Sequence, residues 1–126
     1  MIVVDSSGWL EYFTAGANAA KYGGYLEKAG EVATPTVVLY EVYQLVKRER
    51  TEEDALLAVA QMQKTRVVAL SESIALAAAD VSLEFKLAMA DAIVYATALA
   101  EEAELVTSDA DLRGLPGVTY LPKAKK

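Results

Sequence analysis

The chain has 126 residues, a formal net charge of −6, and neither histidine nor cysteine. This length suits one domain with a single core, and the 54% hydrophobic composition hints at apolar surface buried against a partner. The missing residue types exclude a Ser-His-Asp triad, a Cys–His nucleophile and an ordinary zinc site. Any catalysis must rest on carboxylates, which favour Mg²⁺ or Mn²⁺. The acidic balance argues against a simple nucleic-acid-binding protein.

The location of the protein is predicted from features that the sequence lacks. Charged residues interrupt every apolar run, so none is long enough to span a bilayer. The chain enters a strand without a basic leader, and it has no cysteine for disulfides. We therefore expect a cytoplasmic protein without a signal peptide.

Predicted strands and helices alternate along the chain. Short valine-rich segments predict strands, and apolar residues three and four positions apart predict helices. At the third helix, Thr34 is the expected N-cap and Pro35 the expected first helical residue. In chain order the predicted elements are strand 2–4, helices 7–14 and 18–29, strand 31–33, helices 35–49 and 52–64, strand 66–70, helices 72–85 and 89–103, and strands 104–107 and 117–121.

This alternation predicts an α/β fold with a mostly parallel sheet covered by helices on both faces. In such sheets ligands gather outside the carboxyl ends of the strands. Asp5 follows the first predicted strand and Asp109 follows the fourth, so both are expected at that edge. As an alternative, Asp5 could cap the next helix, although Ser6 and Ser7 could cap it equally well. Asp109 likewise has an alternative as an ordinary capping residue in "TSDADL".

Two further acids lie on predicted helices. Glu41 is at the edge of an apolar stripe, where desolvation is costly, although it could be an exposed side chain beside Arg48. Asp91 is the only charge in "LAMADAIVYATALA", and a nearly all-apolar helix is usually buried. A buried carboxylate must be paired or bind metal, although Asp91 could be a first-turn acid stabilised by the helix dipole. Asp111 is either a helper that positions a water or a solvated turn residue.

Together these acids indicate a metal site. Three or four carboxylates around one point cannot all stay ionised without a cation. The composition favours Mg²⁺ or Mn²⁺, and such an ion could activate a water molecule and stabilise a phosphoryl transition state.

Three stretches of the sequence carry a family resemblance. They are "VVDSSGWL", "TPTVVLYEVYQLVKR" and "ADAIVYATALAEEAELVTSDADL". In this order they resemble the opening motif, the glutamate segment and the third-acid and closing Thr-x-Asp segments of the PIN-domain nucleases. The resemblance is greatest to the VapC-type toxins of toxin–antitoxin pairs.

The resemblance implies a PIN-like three-layer α/β/α domain over residues 1–122, with a five-stranded mostly parallel sheet, and a basic tail at 123–126. It implies an Mg²⁺- or Mn²⁺-dependent endoribonuclease that uses metal-activated water and leaves a 5′-phosphate and a 3′-hydroxyl. It also implies a homodimer and a small cognate antitoxin that inhibits the enzyme.

The same resemblance assigns roles by position. Ser7 and Thr107 are expected to orient the carboxylates or contact the scissile phosphate. Asp111 is grouped with them as an accessory residue because of its place in the turn after Asp109, not because of the resemblance. The metal-binding and catalytic acids are expected to be Asp5, Glu41, Asp91 and Asp109.

Four tyrosines suggest a surface for a second copy or an antitoxin. Helical spacing places Tyr40 and Tyr43 largely opposite the core stripe, and Tyr22 and Tyr25 are grouped with them. The alternative is that these are scattered surface tyrosines.

Three alternative functions stay open. A haloacid-dehalogenase-like phosphatase needs Asp-x-Asp directly after strand one, whereas Asp5 is followed by two serines. The chain could also be a catalytically inert PIN-like binding module, or an RNA-processing PIN nuclease without an antitoxin.

Overall fold

A computed structural model describes residues 1–123 as one five-stranded sheet surrounded by helices. Every strand pairing is parallel, and the strand order is β3-β2-β1-β4-β5. The predicted five-stranded parallel sheet is therefore confirmed. The strands are β1 Ile2–Val4, β2 Val32–Pro35, β3 Arg66–Val68, β4 Glu104–Thr107 and β5 Val118–Tyr120.

Six helices connect these strands, and each overlaps a predicted one. Two short 3₁₀ turns add to them, at Ala29–Glu31 and Ala110–Leu112. The helices are α1 Ser6–Phe13, α2 Ala19–Leu26, α3 Thr36–Glu49, α4 Glu52–Met62, α5 Glu72–Phe85 and α6 Met89–Ala100.

The start of α3 differs from the prediction. Thr34 and Pro35 are the last residues of β2, where they stand opposite Val67 and Val68 of β3. Pro35 is therefore the N-cap of α3, and the helix begins at Thr36. The Thr34 hydroxyl bonds the Thr65 hydroxyl at 2.6 Å instead of capping the helix. The prediction was wrong because strand pairing with β3 extends β2 through the proline.

The core lies against the central strands. Val3 and Val4 of β1 and Leu105 and Val106 of β4 are fully buried, as expected for strands covered on both faces. Trp9 of α1 belongs to the same core, and it is only 2% exposed.

The topology creates a crevice at the carboxyl ends of β1 and β4. These strands are neighbours, with Val4 opposite Val106, yet β2 and β3 lie between them in sequence. The chain moves outward from β1 through β2 to β3, and then returns to the other side of β1 for β4. Right-handed crossovers place the two sets of connections on opposite faces, and ligands bind where the order reverses. Asp5 follows β1 at this crevice, and Asp109 follows β4.

Two further expectations concern the ends of the chain and its environment. Across residues 1–123, no helix combines the length and apolar character needed to cross a bilayer. The expected basic tail at 123–126 lies outside the described residues except for Lys123.

Candidate acidic metal centre

Asp5 leaves β1 and caps α1 at the same time. Its extended backbone, with φ −77° and ψ 179°, lets the side chain accept a hydrogen bond from the Gly8 N–H. The same oxygen accepts a 2.6 Å hydrogen bond from the Ser7 hydroxyl, and the other oxygen accepts one from the Thr107 hydroxyl. The sequence offered Ser6 and Ser7 as equally good N-caps of this helix, which would leave Asp5 without a capping role, and this interpretation was wrong. Asp5 performs the capping and still faces the crevice between β1 and β4.

The end of β4 holds the second strand-end acid. The Thr107 hydroxyl donates to Asp5 and accepts the backbone N–H of Asp109 at 2.9 Å. Asp109 in turn caps the 3₁₀ turn by accepting the N–H of Asp111 at 2.9 Å. The capping alternative for Asp109 is thus realised, and the turn it starts brings Asp111 towards the same crevice.

Asp91 completes a close group from the first turn of α6. One carboxylate oxygen from each of Asp91, Asp109 and Asp111 lies within 4.8 Å of the other two. Asp111, an accessory residue by sequence, belongs to this group, whereas Asp5 and Glu41 do not. Asp91 and Asp109 are half-buried and Asp111 is exposed, so the group opens towards solvent.

Glu41 extends from α3 towards the same acids. Burial raises the pKa of its carboxyl, a hydrogen bond with Ser6 opposes this shift, and the charges of Asp5 and Asp109 add to it. The alternative that Glu41 is an exposed side chain beside Arg48 is not realised, because Glu41 is half-buried and Arg48 pairs with Glu49 at 3.1 Å.

The acids shift each other's titration. Burial raises the pKa of Asp5, although its hydrogen bonds with Ser7, Thr107 and Gly8 oppose the shift. Asp91 is affected more: burial, the charge of Asp109 and a hydrogen bond to Asp109 raise its pKa to about 7. A metal-free cluster therefore retains a proton on Asp91 near neutral pH.

The donor set fits a hard divalent cation. All the converging side chains are carboxylates, which is the ligand type that Mg²⁺ and Mn²⁺ prefer. None of the salt bridges among residues 1–123 involves these acids. Within this described part of the chain no lysine or arginine pairs with them, so a bound cation would supply the missing positive charge.

Two residues near the acids were missed or misjudged. Tyr22, grouped with a partner surface, is fully buried, and its hydroxyl bonds the Ser108 hydroxyl at 2.6 Å. The partner-surface interpretation is therefore wrong for Tyr22. Ser108 also donates its backbone N–H to the Ser7 hydroxyl at 3.1 Å, which ties α2 to the acidic centre. Its only sequence signal is its place between Thr107 and Asp109.

The other three tyrosines are at least partly exposed. Tyr40 is 53% exposed, and Tyr25 and Tyr43 are half-buried. The Lys47 ammonium lies 5.5 Å from the centroid of the Tyr43 ring. Tyr25, Tyr40 and Tyr43 are therefore available to a partner, whereas the buried Tyr22 is not.

The family is shown by a match over almost the whole chain. The family model of the PIN domain matches residues 2–118. The chain belongs to the PIN domain family. No functionally curated protein matches the sequence.

Solved structures with this fold include VapC and VapBC proteins. A toxin–antitoxin complex from Klebsiella pneumoniae is 23% identical with a TM-score of 0.83, over 98% of this chain and 100% of that one. VapC20 of Mycobacterium tuberculosis, a toxin that cleaves the sarcin–ricin loop, is 22% identical with a TM-score of 0.72, over 88% and 92%. VapBC2 of Rickettsia felis, bound to promoter DNA, is 16% identical with a TM-score of 0.75, over 97% and 98%. At such identities the likeness describes the shared fold.

Proposed function

We propose that this PIN domain is a metal-dependent endoribonuclease that acts on cytoplasmic RNA as the toxin of a toxin–antitoxin pair. The observation that carries the proposal is the convergence of five carboxylates, none in a salt bridge among residues 1–123, at the crevice between β1 and β4. A hydrolase without histidine or cysteine needs such a group to act on a phosphodiester. The acids are Asp5, Glu41, Asp91, Asp109 and Asp111.

The proposed role of each residue rests on its place in the acidic centre and on its hydrogen bonds. Asp91 and Asp109 would hold Mg²⁺ or Mn²⁺ together with Asp5 and Glu41. A bound cation supplies Lewis-acid chemistry, activating water and neutralising charge on the phosphate. Thr107 orients Asp5, because its hydroxyl donates to that carboxylate. The products would be a 5′-phosphate and a 3′-hydroxyl, so no ribose 2′-hydroxyl attack is required.

The test is cleavage of labelled single-stranded RNA with Mg²⁺ or Mn²⁺. We expect cleavage that EDTA stops and that Asp91→Asn lowers by at least about a hundredfold, the scale of losing a transition-state charge contact. Glu102→Gln is the control, because Glu102 is exposed after the end of α6 and joins no salt bridge among residues 1–123. An inert wild type that also binds no Mn²⁺ by calorimetry would overturn the proposal and favour a binding module.

The proposed antitoxin has a suitable apolar groove. A cavity of about 570 Å³ lies between α1, α3 and α4, and its lining includes Phe13, Val46 and Leu57. Leu57 is 62% exposed, so this apolar surface faces solvent. The proposed occupant is an apolar segment of a small antitoxin, since the solved structures that share this fold include a toxin–antitoxin complex.

Co-expression with the product of an adjacent short reading frame tests this partner. We expect Leu57→Lys to abolish co-purification and inhibition, because it places a charge in the groove. Leu56→Lys is the control, since Leu56 is exposed on the same helix but does not line the cavity. Metal-dependent cleavage without any inhibitory partner would favour the RNA-processing alternative.

The proposed homodimer has a candidate surface on α5. Leu76 and Leu83 are seven residues apart on one side of this helix, and Leu83 is 83% exposed. Met89, at the start of α6, is also exposed. Such a set of large apolar side chains is typical of an interface. We expect light scattering to show a dimer that Leu83→Lys weakens and Leu56→Lys does not.

A further inference from the structure

A second cleft, outside the acidic centre, is lined by positive charge. It has a volume of about 390 Å³ and lies between α2, the start of β1 and the residue after β5. Its lining includes Lys21, Tyr25 and Lys28 on one side and Leu121 on the other. The function proposed above assigns no role to this cleft.

The arrangement follows from helical spacing. Lys21 and Tyr25 stand at positions i and i+4 of α2, so they lie on one side of the helix, about 6 Å apart along its axis. Lys28 follows two residues after the helix ends at Leu26 and lines the same cleft. Gly24 lies on the same wall, and the cleft is open at this position, because a Cβ there would meet no atom within 4 Å.

The charges of these lysines are available to a ligand. Of the salt bridges among residues 1–123, none involves Lys21 or Lys28. The only acid in the cleft lining is Glu31, which leaves the cleft with a net positive charge. This contrasts with a chain whose net charge is −6. An anionic ligand would be attracted to this cleft more than to an average part of the surface.

Both walls of the cleft are attached to the segment that carries the acids. On one wall, the N–H of Leu121 donates to the Thr107 carbonyl at 2.8 Å. On the other, Tyr22 of α2 bonds the Ser108 hydroxyl at 2.6 Å. The walls of the cleft are thus anchored to Thr107 and Ser108, the two residues that precede Asp109.

We propose that this cleft is a subsite for single-stranded RNA beyond the acidic centre, with Lys21 and Lys28 on phosphates and the Tyr25 ring stacked on a base. The inference rests on the proposed function and names the surface that holds its substrate. Cations that flank an aromatic ring are the pattern that binds single strands without sequence preference. An acidic peptide would use the lysines but would have no base to stack on Tyr25.

The test is binding of a short fluorescein-labelled single-stranded RNA, measured by anisotropy in EDTA so that no cleavage occurs. We expect Lys21→Gln/Lys28→Gln to weaken binding about tenfold at low salt. Each lost phosphate contact should also reduce the slope of log affinity against log salt by about 0.7. Tyr25→Leu should weaken binding about tenfold without changing that slope. Lys64→Gln/Lys86→Gln removes the same charge from two exposed lysines elsewhere on the surface and is the matched control.

The outcomes separate this inference from the proposed function. If the cleft variants bind RNA as well as the control pair does, the RNA subsite is overturned, even if the wild type cleaves RNA. That result would favour another anionic ligand for the cleft, such as an acidic peptide. A wild type that binds RNA through the cleft but never cleaves it would support the subsite and overturn the nuclease. If both proposals hold, the cleft variants raise KM and leave kcat unchanged, whereas Asp91→Asn lowers kcat.

Discussion

The Thr107 hydroxyl donates a hydrogen bond to Asp5 across 102 positions of sequence. The same oxygen accepts the backbone N–H of Asp109 at 2.9 Å. Thr107 is fully buried, so water cannot replace either bond. One hydroxyl group therefore sets the relative positions of the two acids that end neighbouring strands.

Replacing Thr107 with valine should disturb both acids while keeping the shape of the side chain. We expect Thr107→Val to lower the free energy of unfolding by about 1–3 kcal/mol, because it leaves buried polar groups without partners. Mn²⁺ affinity should fall as well, measured by calorimetry. Thr119→Val is the control, since Thr119 donates to Glu104 at the surface. Equal effects of the two variants would contradict the prediction.

Removing the Tyr22 hydroxyl should act on the acidic centre from α2. Tyr22→Phe keeps the buried ring but leaves Ser108 without its 2.6 Å partner, which costs about 1 kcal/mol of stability. Because Ser108 also bonds Ser7, we expect a severalfold lower kcat for RNA cleavage. Tyr12→Phe is the control, because Tyr12 is half-buried on α1 and no hydrogen bond among residues 1–123 uses its side chain. Thermal unfolding and kcat provide the measurements, and a stability loss with wild-type kcat would show a purely structural role.

The parts of the fold that depend on local pattern were predictable. Valine-rich strands and helices with apolar spacing were placed within a few residues, because these signals are contained in short windows. The strand-end position of Asp5 and Asp109 followed from alternation alone, since parallel strands share one carboxyl edge.

What was missed depends on contacts between distant segments. Tyr22 and Tyr25 are three residues apart on α2, and no local pattern shows that Ser108 meets the first of them. Asp111 joins the close acid group because a 3₁₀ turn follows Asp109, a geometry that the sequence "SDADL" shares with ordinary turns.

Two glycine substitutions should have opposite effects on stability. A Cβ at Gly8 would overlap the Tyr22 ring and the Val4 side chain, so Gly8→Ala should destabilise the fold by roughly 1–3 kcal/mol. Gly24 has open space within α2, so Gly24→Ala should stabilise it by roughly 0.5–1 kcal/mol. Chemical denaturation of both variants measures the difference. Destabilisation by Gly24→Ala, or none by Gly8→Ala, would be inconsistent with this packing.

The metal-free protein should lose stability as the pH rises towards neutrality. The pKa of Asp91 is about 7 in the folded chain against an ordinary value of 3.8. The folded state therefore binds more protons than the unfolded state between these values, so unfolding becomes easier as pH rises through that window. Asp5 and Glu41 are shifted in the same direction and add to the effect.

Melting temperatures in EDTA at about pH 5 and about pH 8 measure this loss. Asp91→Asn should reduce the difference, because an amide carries no charge at either pH, whereas Glu102→Gln, at an exposed position after α6, should keep it. Added Mn²⁺ should recover stability at the higher pH, since a ligand that binds only the folded state stabilises it by mass action. A melting temperature that rises with pH in EDTA would contradict the raised pKa of Asp91 in the folded protein.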